Sequence, residues 1–149
     1  MAYKMYFVVV PTGKTSDGKP KWVNADGVEH CVMLVQQTAG APATKQWRPG
    51  LAVRDAKQGE IPPYTAIATF VAPDGGFVDA PEEYKSGRYP TDDLGMHAAL
   101  YLSHNEHEIR VIDQWASLGE AKERPIRFNN KAATKRSNEG NWFHVIEPA

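Results

Sequence analysis

The sequence predicts an α+β fold in which one amino-terminal helix packs on an antiparallel sheet of four to six strands. A helical pattern of apolar residues occurs before residue 40, whereas strand-like runs separated by turn residues fill most of the remainder. With 149 residues, 42% of them hydrophobic and 23% charged, the chain has the size and composition of one globular domain over 1–149.

The predicted helix ends near Ala39. Its apolar face carries residues at i, i+3, i+4 and i+7, namely Val28, Cys31, Val32 and Val35. Asn24 and Asp26 are cap-type residues ahead of this face, and Gly40 suits the C-terminal cap. The pattern therefore places Cys31 within the first turns of a helix.

Strand-like segments account for the core of the sheet. Residues 5–10 are expected to form a strand or a buried extended segment, followed by a loop over 11–21. After a turn at 47–50, the expected extended segments are 51–54, 65–71, 97–102, 108–115, 124–128 and 142–146. Segments 97–102 and 108–115 are expected to form a hairpin.

Two segments between the strands are expected to lie on the surface. Residues 129–141 form a polar loop, and residues 72–96 form a longer excursion rich in Gly and Pro. An excursion of this length is more often functional or mobile than idle. We expect it to be exposed, and its residues need not serve the chemistry of an active site.

Composition excludes several classes of protein. The net charge of −1 gives no basic surface for nucleic acid or anionic lipid. A single cysteine cannot form an internal disulfide. The apolar run at the amino terminus is too short for a signal peptide, and no stretch approaches a membrane span. The sequence predicts no leader, no membrane span and no nucleic-acid partner.

Three polar residues in chain order suggest nucleophilic catalysis. They are Cys31 on the helix, His97 at the start of a strand and Asp113 on the next strand. A lone cysteine with a histidine and a carboxylate elsewhere is the pattern of a nucleophile, its base and an orienting group. A helix amino terminus lowers a thiol pKa, and the Cys31 backbone N–H could serve the oxyanion. The competing interpretation is a structural cysteine, because free cysteines are usually buried.

The hairpin leaves two candidates for the orienting group. A loop centred on Asn105 places Asp113 directly opposite His97, whereas a two-residue turn at Asn105–Glu106 places Gln114 there. Either side chain would fix the imidazole tautomer, and a carboxylate would also stabilise the imidazolium.

Other candidate sites are weaker. Three further histidines raise the question of a metal: His30, His104 and His107. The last two lie at the hairpin tip without a set of ligands, so a solvated turn is favoured and no metal or cofactor is predicted. Three tryptophans could line a groove but more often belong to a core: Trp47, Trp115 and Trp142. No phosphate loop, dinucleotide fingerprint or serine-centred elbow is present.

Several motifs together resemble the NlpC-type and CHAP-type cysteine amidases, which are papain-like cell-wall hydrolases. They are Gly-x-Glu-His-Cys-Val-x-Leu-Val at 27–35 and the segments 66–70, 97–102 and 112–115. The resemblance covers about 24–146. It implies a papain-like fold, cleavage of amide bonds in peptidoglycan stem peptides or cross-links, and catalysis by Cys31, His97 and Asp113. The chain departs from the usual Asp-Cys-Ser triplet with His30-Cys31-Val32, and the 72–96 excursion is unusual for this class.

Among these hydrolases, the chain most resembles the type VI secretion amidase effectors, in particular the third of their families. Its small size and the lack of a wall-binding module support this resemblance. That resemblance implies an antibacterial toxin. Such a toxin is made in the cytoplasm without a signal peptide, acts on peptidoglycan in the periplasm of a target cell, and is blocked by a cognate immunity protein. The alternatives are a papain-like hydrolase acting on a non-wall amide and a non-catalytic binding module.

Overall fold

A computed structural model of the chain describes residues 2–3, 13–14, 20–21, 31–92, 94–114 and 121–148. The expected strand at 5–10, the helical turns before Cys31, His30 and Trp115 lie outside the described residues. Within those ranges, no helix is long and apolar enough to cross a membrane.

The described elements form one helix and one large sheet, together with a small two-stranded sheet and short 3-10 turns. The helix α1 is Cys31–Ala39. The strands are β1 (Gly13–Lys14), β2 (Pro20–Lys21), β3 (Trp47–Ala52), β4 (Thr65–Thr69), β5 (Ala98–His104), β6 (Glu108–Asp113), β7 (Lys122–Arg127) and β8 (Phe143–Pro148). The large sheet is antiparallel throughout, in the order β3-β8-β4-β5-β6-β7. The expected α+β fold, with a sheet of four to six strands, is confirmed.

Two expectations about loops are wrong. The turn expected at 47–50 is the first part of β3, because these residues pair with the end of β8. Pro49 is tolerated because β3 is an edge strand of the sheet. Glycine is favoured at position 50, because a Cβ there would lie 2.5 Å from the Glu147 side chain. The loop expected over 11–21 contains β1 and β2, which pair with each other.

The sheet is buried on both faces at its centre. On one face, Leu34 and Val35 of α1 pack with Trp47 and Leu100, so Trp47 belongs to the core as expected. A second cluster includes the strand residues Ile67, Tyr101 and Phe143, together with Val53 and Ile61 from the segment between β3 and β4. Every residue of β4 is buried, as expected for a central strand covered on both sides. The packing of α1 against β4 and β5 brings the helix beside the start of β5.

The β5–β6 hairpin has neither of the two expected registers. Its turn lies at Glu106–His107, where the backbone N–H of Asn105 donates to the Glu108 carbonyl. The Asn105 side chain fixes this turn, because its Oδ1 accepts hydrogen bonds from the backbone N–H groups of His107 and Glu108. The turn therefore lies one residue later than the latest position that the sequence suggested.

A bulge in β5 then shifts the pairing again. Leu102 is the extra residue, since Tyr101 pairs with Val111 while Ser103 pairs with Arg110. Continuing the register beyond the bulge places Asp113 opposite Ala99 rather than His97. Ala99 and His97 are two residues apart and point to the same side of the sheet, so Asp113 approaches His97 along a diagonal.

Candidate active site

The helix and the sheet bring Cys31 and His97 together. Cys31 is the first residue of α1 and its side chain is partly exposed, whereas His97 directly precedes β5 and is buried. The thiol and the imidazole are hydrogen-bonding partners. A partly exposed thiol beside a buried imidazole differs from the inert core cysteine that was the competing interpretation.

Asp113 and Arg124 hold the other side of the imidazole. His97 Nε2 lies 2.7 Å from Asp113 Oδ2, which leaves Nδ1 as the ring nitrogen for the thiol. Asp113 is fully buried, and Arg124 of β7 donates from Nε to the same carboxylate oxygen at 2.7 Å. Arg124 also donates to the Ser137 carbonyl and to the Asn138 side chain. Arg124, which Ser137 and Asn138 hold in place, therefore orients the carboxylate that orients the histidine.

The electrostatics of this cluster favour a charged pair. Burial acts to raise the pKa of the Cys31 thiol, but the hydrogen bond and the charge of His97 outweigh it and lower the pKa. Burial acts to lower the pKa of His97, but hydrogen bonds with Asp113 and Cys31 outweigh it and raise the pKa to about 9. Both shifts favour a thiolate beside an imidazolium, which is the reactive form of a cysteine nucleophile.

The 72–96 excursion supplies two groups to Cys31. The Tyr89 hydroxyl lies 3.9 Å from Cys31 Sγ, and the Met96 carbonyl lies 3.8 Å from it as an acceptor for the thiol. The expectation that this whole segment is exposed is therefore wrong, because part of it is buried and lies against Cys31. No local pattern identified Tyr89 or Arg124, because each meets the site through pairing between distant segments.

The remaining histidines at the hairpin do not form a metal site. In the part of the chain that the structure describes, no group of three or more His, Cys, Asp or Glu side chains could hold a metal. His107 is exposed beside Glu106, as expected for a solvated turn. His104 is different, since its ring bonds the Tyr101 hydroxyl and the Ala56 carbonyl. It ties the end of β5 to a neighbouring loop, so its role is structural.

Comparisons with known proteins show the family of this chain. A family model described as domesticated amidase effector 2 matches residues 5–146. The chain belongs to this family. Domesticated amidase effector 2 of Ixodes scapularis is 32% identical over 138 residues, which is 89% of this chain and 82% of that protein.

Two further relatives are type VI secretion amidase effectors by name. The type VI secretion amidase effector 2 protein of Salmonella typhi is 35% identical over 85 residues, 57% of this chain, and the match spans about half of that protein's length (52%). A solved structure of type 6 secretion amidase effector 2 matches with a TM-score of 0.66 and 25% identity, covering 95% of both chains. Membership of the amidase effectors is confirmed; these relatives carry the number two, whereas the motifs resembled the third family.

Proposed function

We propose that this amidase effector hydrolyses an amide bond in peptidoglycan stem peptides or cross-links, with Cys31 as nucleophile, His97 as base and Asp113 as orienting group. The observation that carries the proposal is the unbroken contact from the Cys31 thiol through His97 to Asp113. The family supports the choice of an amide substrate, since the names of its relatives describe amidases.

The geometry accounts for both halves of an acyl-transfer reaction. The Cys31 thiolate attacks the carbonyl carbon, a C–S bond forms, and the C–N bond breaks as His97 Nδ1 gives its proton to the leaving amine. In the second half, His97 takes a proton from water, the hydroxyl oxygen bonds to the thioester carbon, and the C–S bond breaks. Asp113 holds the ring in one orientation and stabilises the imidazolium during both halves.

The two alternative functions make different demands on the site. A non-catalytic binding module gains nothing from a thiol whose pKa is lowered by a buried histidine, so the cluster favours an enzyme. A hydrolase acting on a non-wall amide would use the same three residues, and only the substrate separates it from the proposal.

The test of the substrate is mass spectrometry of purified sacculi after incubation with the protein. After a muramidase has cut the glycan of the treated sacculi, we expect muropeptides in which one cleaved amide has gained the elements of water, and no such products with the Cys31→Ala variant. Muropeptides identical to those of untreated sacculi, from a folded wild-type protein that cleaves another peptide amide, would contradict the wall substrate.

We also propose delivery by type VI secretion into the periplasm of a target cell and inhibition there by a cognate immunity protein. Because peptidoglycan lies outside the inner membrane, periplasmic expression should lyse Gram-negative cells while cytosolic expression is tolerated. The inhibitor is expected to cover the cleft at Cys31 and to grip the excursion, whose 3-10 turn at Pro81–Ser86 includes exposed side chains.

Charge reversal on this turn should separate inhibition from catalysis. Glu82→Lys with Glu83→Lys should raise the dissociation constant of the complex with the immunity protein by at least about tenfold. Reversing charges inside an interface is expected to cost more than about 1.4 kcal/mol of binding free energy. Hydrolysis of muropeptides should be unchanged, since neither carboxylate contacts the site. Glu106→Lys at the exposed hairpin tip is the matched control. Unchanged inhibition by the double variant would place the inhibitor elsewhere.

A further inference from the structure

Tyr89 presents a hydroxyl group to the nucleophile from outside the helix and the sheet. Its oxygen lies 3.9 Å from Cys31 Sγ, and its side chain is partly exposed. Two other described groups that bond Cys31 already have defined roles: His97 is the base, and the Met96 carbonyl can only accept. The Ala98 backbone also hydrogen-bonds the sulfur and favours the thiolate. The tyrosine is the remaining side-chain donor among the described residues.

The position of Tyr89 is fixed by its surroundings. Its ring meets the fully buried Trp47 ring edge-on, with centroids 4.9 Å apart at 71°. The preceding residue, Arg88, pairs with Val71 through two backbone hydrogen bonds of 2.8 and 2.9 Å, which extends β4 into the excursion. The following residue, Pro90, is buried. A donor held in this way pays little entropy to reach its acceptor.

The hydroxyl also remains protonated throughout the cycle. Burial raises the pKa of Tyr89, and the neighbouring Cys31 charge raises it further, so the group stays neutral when the thiolate is present. A neutral O–H beside the sulfur can donate without changing its own charge. This property suits an oxyanion donor and does not suit a general base.

We propose that Tyr89 is a catalytic residue whose hydroxyl donates a hydrogen bond to the oxyanion formed when Cys31 attacks a carbonyl carbon. This inference rests on the acyl-transfer chemistry of the proposed function. On attack, the C=O electron pair moves to the oxygen, which is then two covalent bonds from Sγ. A donor 3.9 Å from Sγ can lie about 2.7–3.1 Å from that oxygen, the distance an oxyanion donor needs. When the intermediate collapses, the pair returns and Tyr89 keeps its proton.

Two reactions of Cys31 separate this role from activation of the thiolate. Acylation by p-nitrophenyl acetate passes through an oxyanion, whereas alkylation by iodoacetamide displaces iodide from a saturated carbon and forms none. In Tyr89→Phe we expect acylation to slow by about 10²-fold, as on loss of one oxyanion donor, while alkylation at the same pH changes by less than about threefold. The turnover number on muropeptides should fall with acylation.

Tyr84→Phe is the matched control, because Tyr84 lies in the same segment but packs edge-on against His144, 5.4 Å away. It should change neither rate. The ratio of the two rates is taken within one protein sample, so partial loss of folded protein leaves it unchanged. An equal fall in both rates, or no fall in acylation, would overturn the role of Tyr89. Because p-nitrophenyl acetate is not a wall substrate, failure to digest sacculi would contradict the proposed function and leave this comparison intact.

Discussion

Replacing His97 with alanine should lower the rate of amide hydrolysis by about 10⁴-fold, the upper end of what general acid–base catalysis contributes. Two losses combine in this variant. The leaving amine has no proton donor, and the Cys31 thiol loses the partner that lowers its pKa. Burial of Cys31 persists in the variant without this partner, so the pKa of the thiol should rise from its wild-type value.

The pH profiles of Cys31 alkylation and of amide hydrolysis separate the two losses. In the wild type, the lowered pKa of Cys31 should keep its alkylation by iodoacetamide fast at pH values below the pKa of a free thiol, about 8.5. Hydrolysis should lose rate above about pH 9, where His97 loses the proton that the leaving amine needs. In His97→Ala, alkylation near pH 6 should become slow and its midpoint should move upward. For each protein, the pH profiles of alkylation and of hydrolysis can be measured on the same purified preparation.

His107→Ala is the control for this experiment, because His107 is exposed at the tip of the β5–β6 hairpin and its ring is paired with Glu106 rather than with the site. It should leave both pH profiles unchanged. A His97→Ala variant that hydrolyses muropeptides at the wild-type rate would contradict the assignment of the base.

The sequence predicted the proximity of Cys31, His97 and Asp113 better than it predicted the residues that support them. Cys31 lies on a helical face with a clear period, and His97 opens an apolar strand, so local patterns place each of them on an element. Chain order then suggests that they meet. Arg124 and Tyr89 have no such pattern, because Arg124 reaches Asp113 only through the β6–β7 pairing and Tyr89 reaches Cys31 only through the bridge beyond β4.

The register of the β5–β6 hairpin also depends on features that local sequence patterns do not contain. Asp113 was predicted to face His97, and it does contact His97, but through a register that the sequence did not predict. The loop contains no Asn-Gly or Asp-Gly pair that would fix the turn. The sequence is therefore compatible with a loop centred on Asn105 and with a two-residue turn at Asn105–Glu106. The bulge at Leu102 depends on packing across the sheet. A local pattern of a few residues therefore does not predict it.

Replacing Asp113 with asparagine should reduce both activity and stability. An amide can present its N–H₂ to His97 Nε2 and favour the wrong tautomer, so hydrolysis should fall by about 10²–10⁴-fold. Residual activity should remain, because the Cys31 thiolate is also favoured by Tyr89 and the Ala98 backbone. Removing one partner of the buried pair with Arg124 should lower the free energy of unfolding by about 3–5 kcal/mol.

A double variant separates the two roles of Asp113. In Asp113→Asn with Arg124→Gln, no charge is left opposite the amide, so part of the lost stability should return while hydrolysis stays low. The same two strands offer a matched control, since Arg110 of β6 and Glu123 of β7 form an exposed pair at 2.9 Å. Glu123→Gln should cost less than about 1 kcal/mol and leave hydrolysis unchanged. Chemical denaturation and muropeptide turnover measure the two effects separately. If the double variant regained both stability and turnover, Asp113 would serve only to neutralise Arg124, and His97 would need no carboxylate to act.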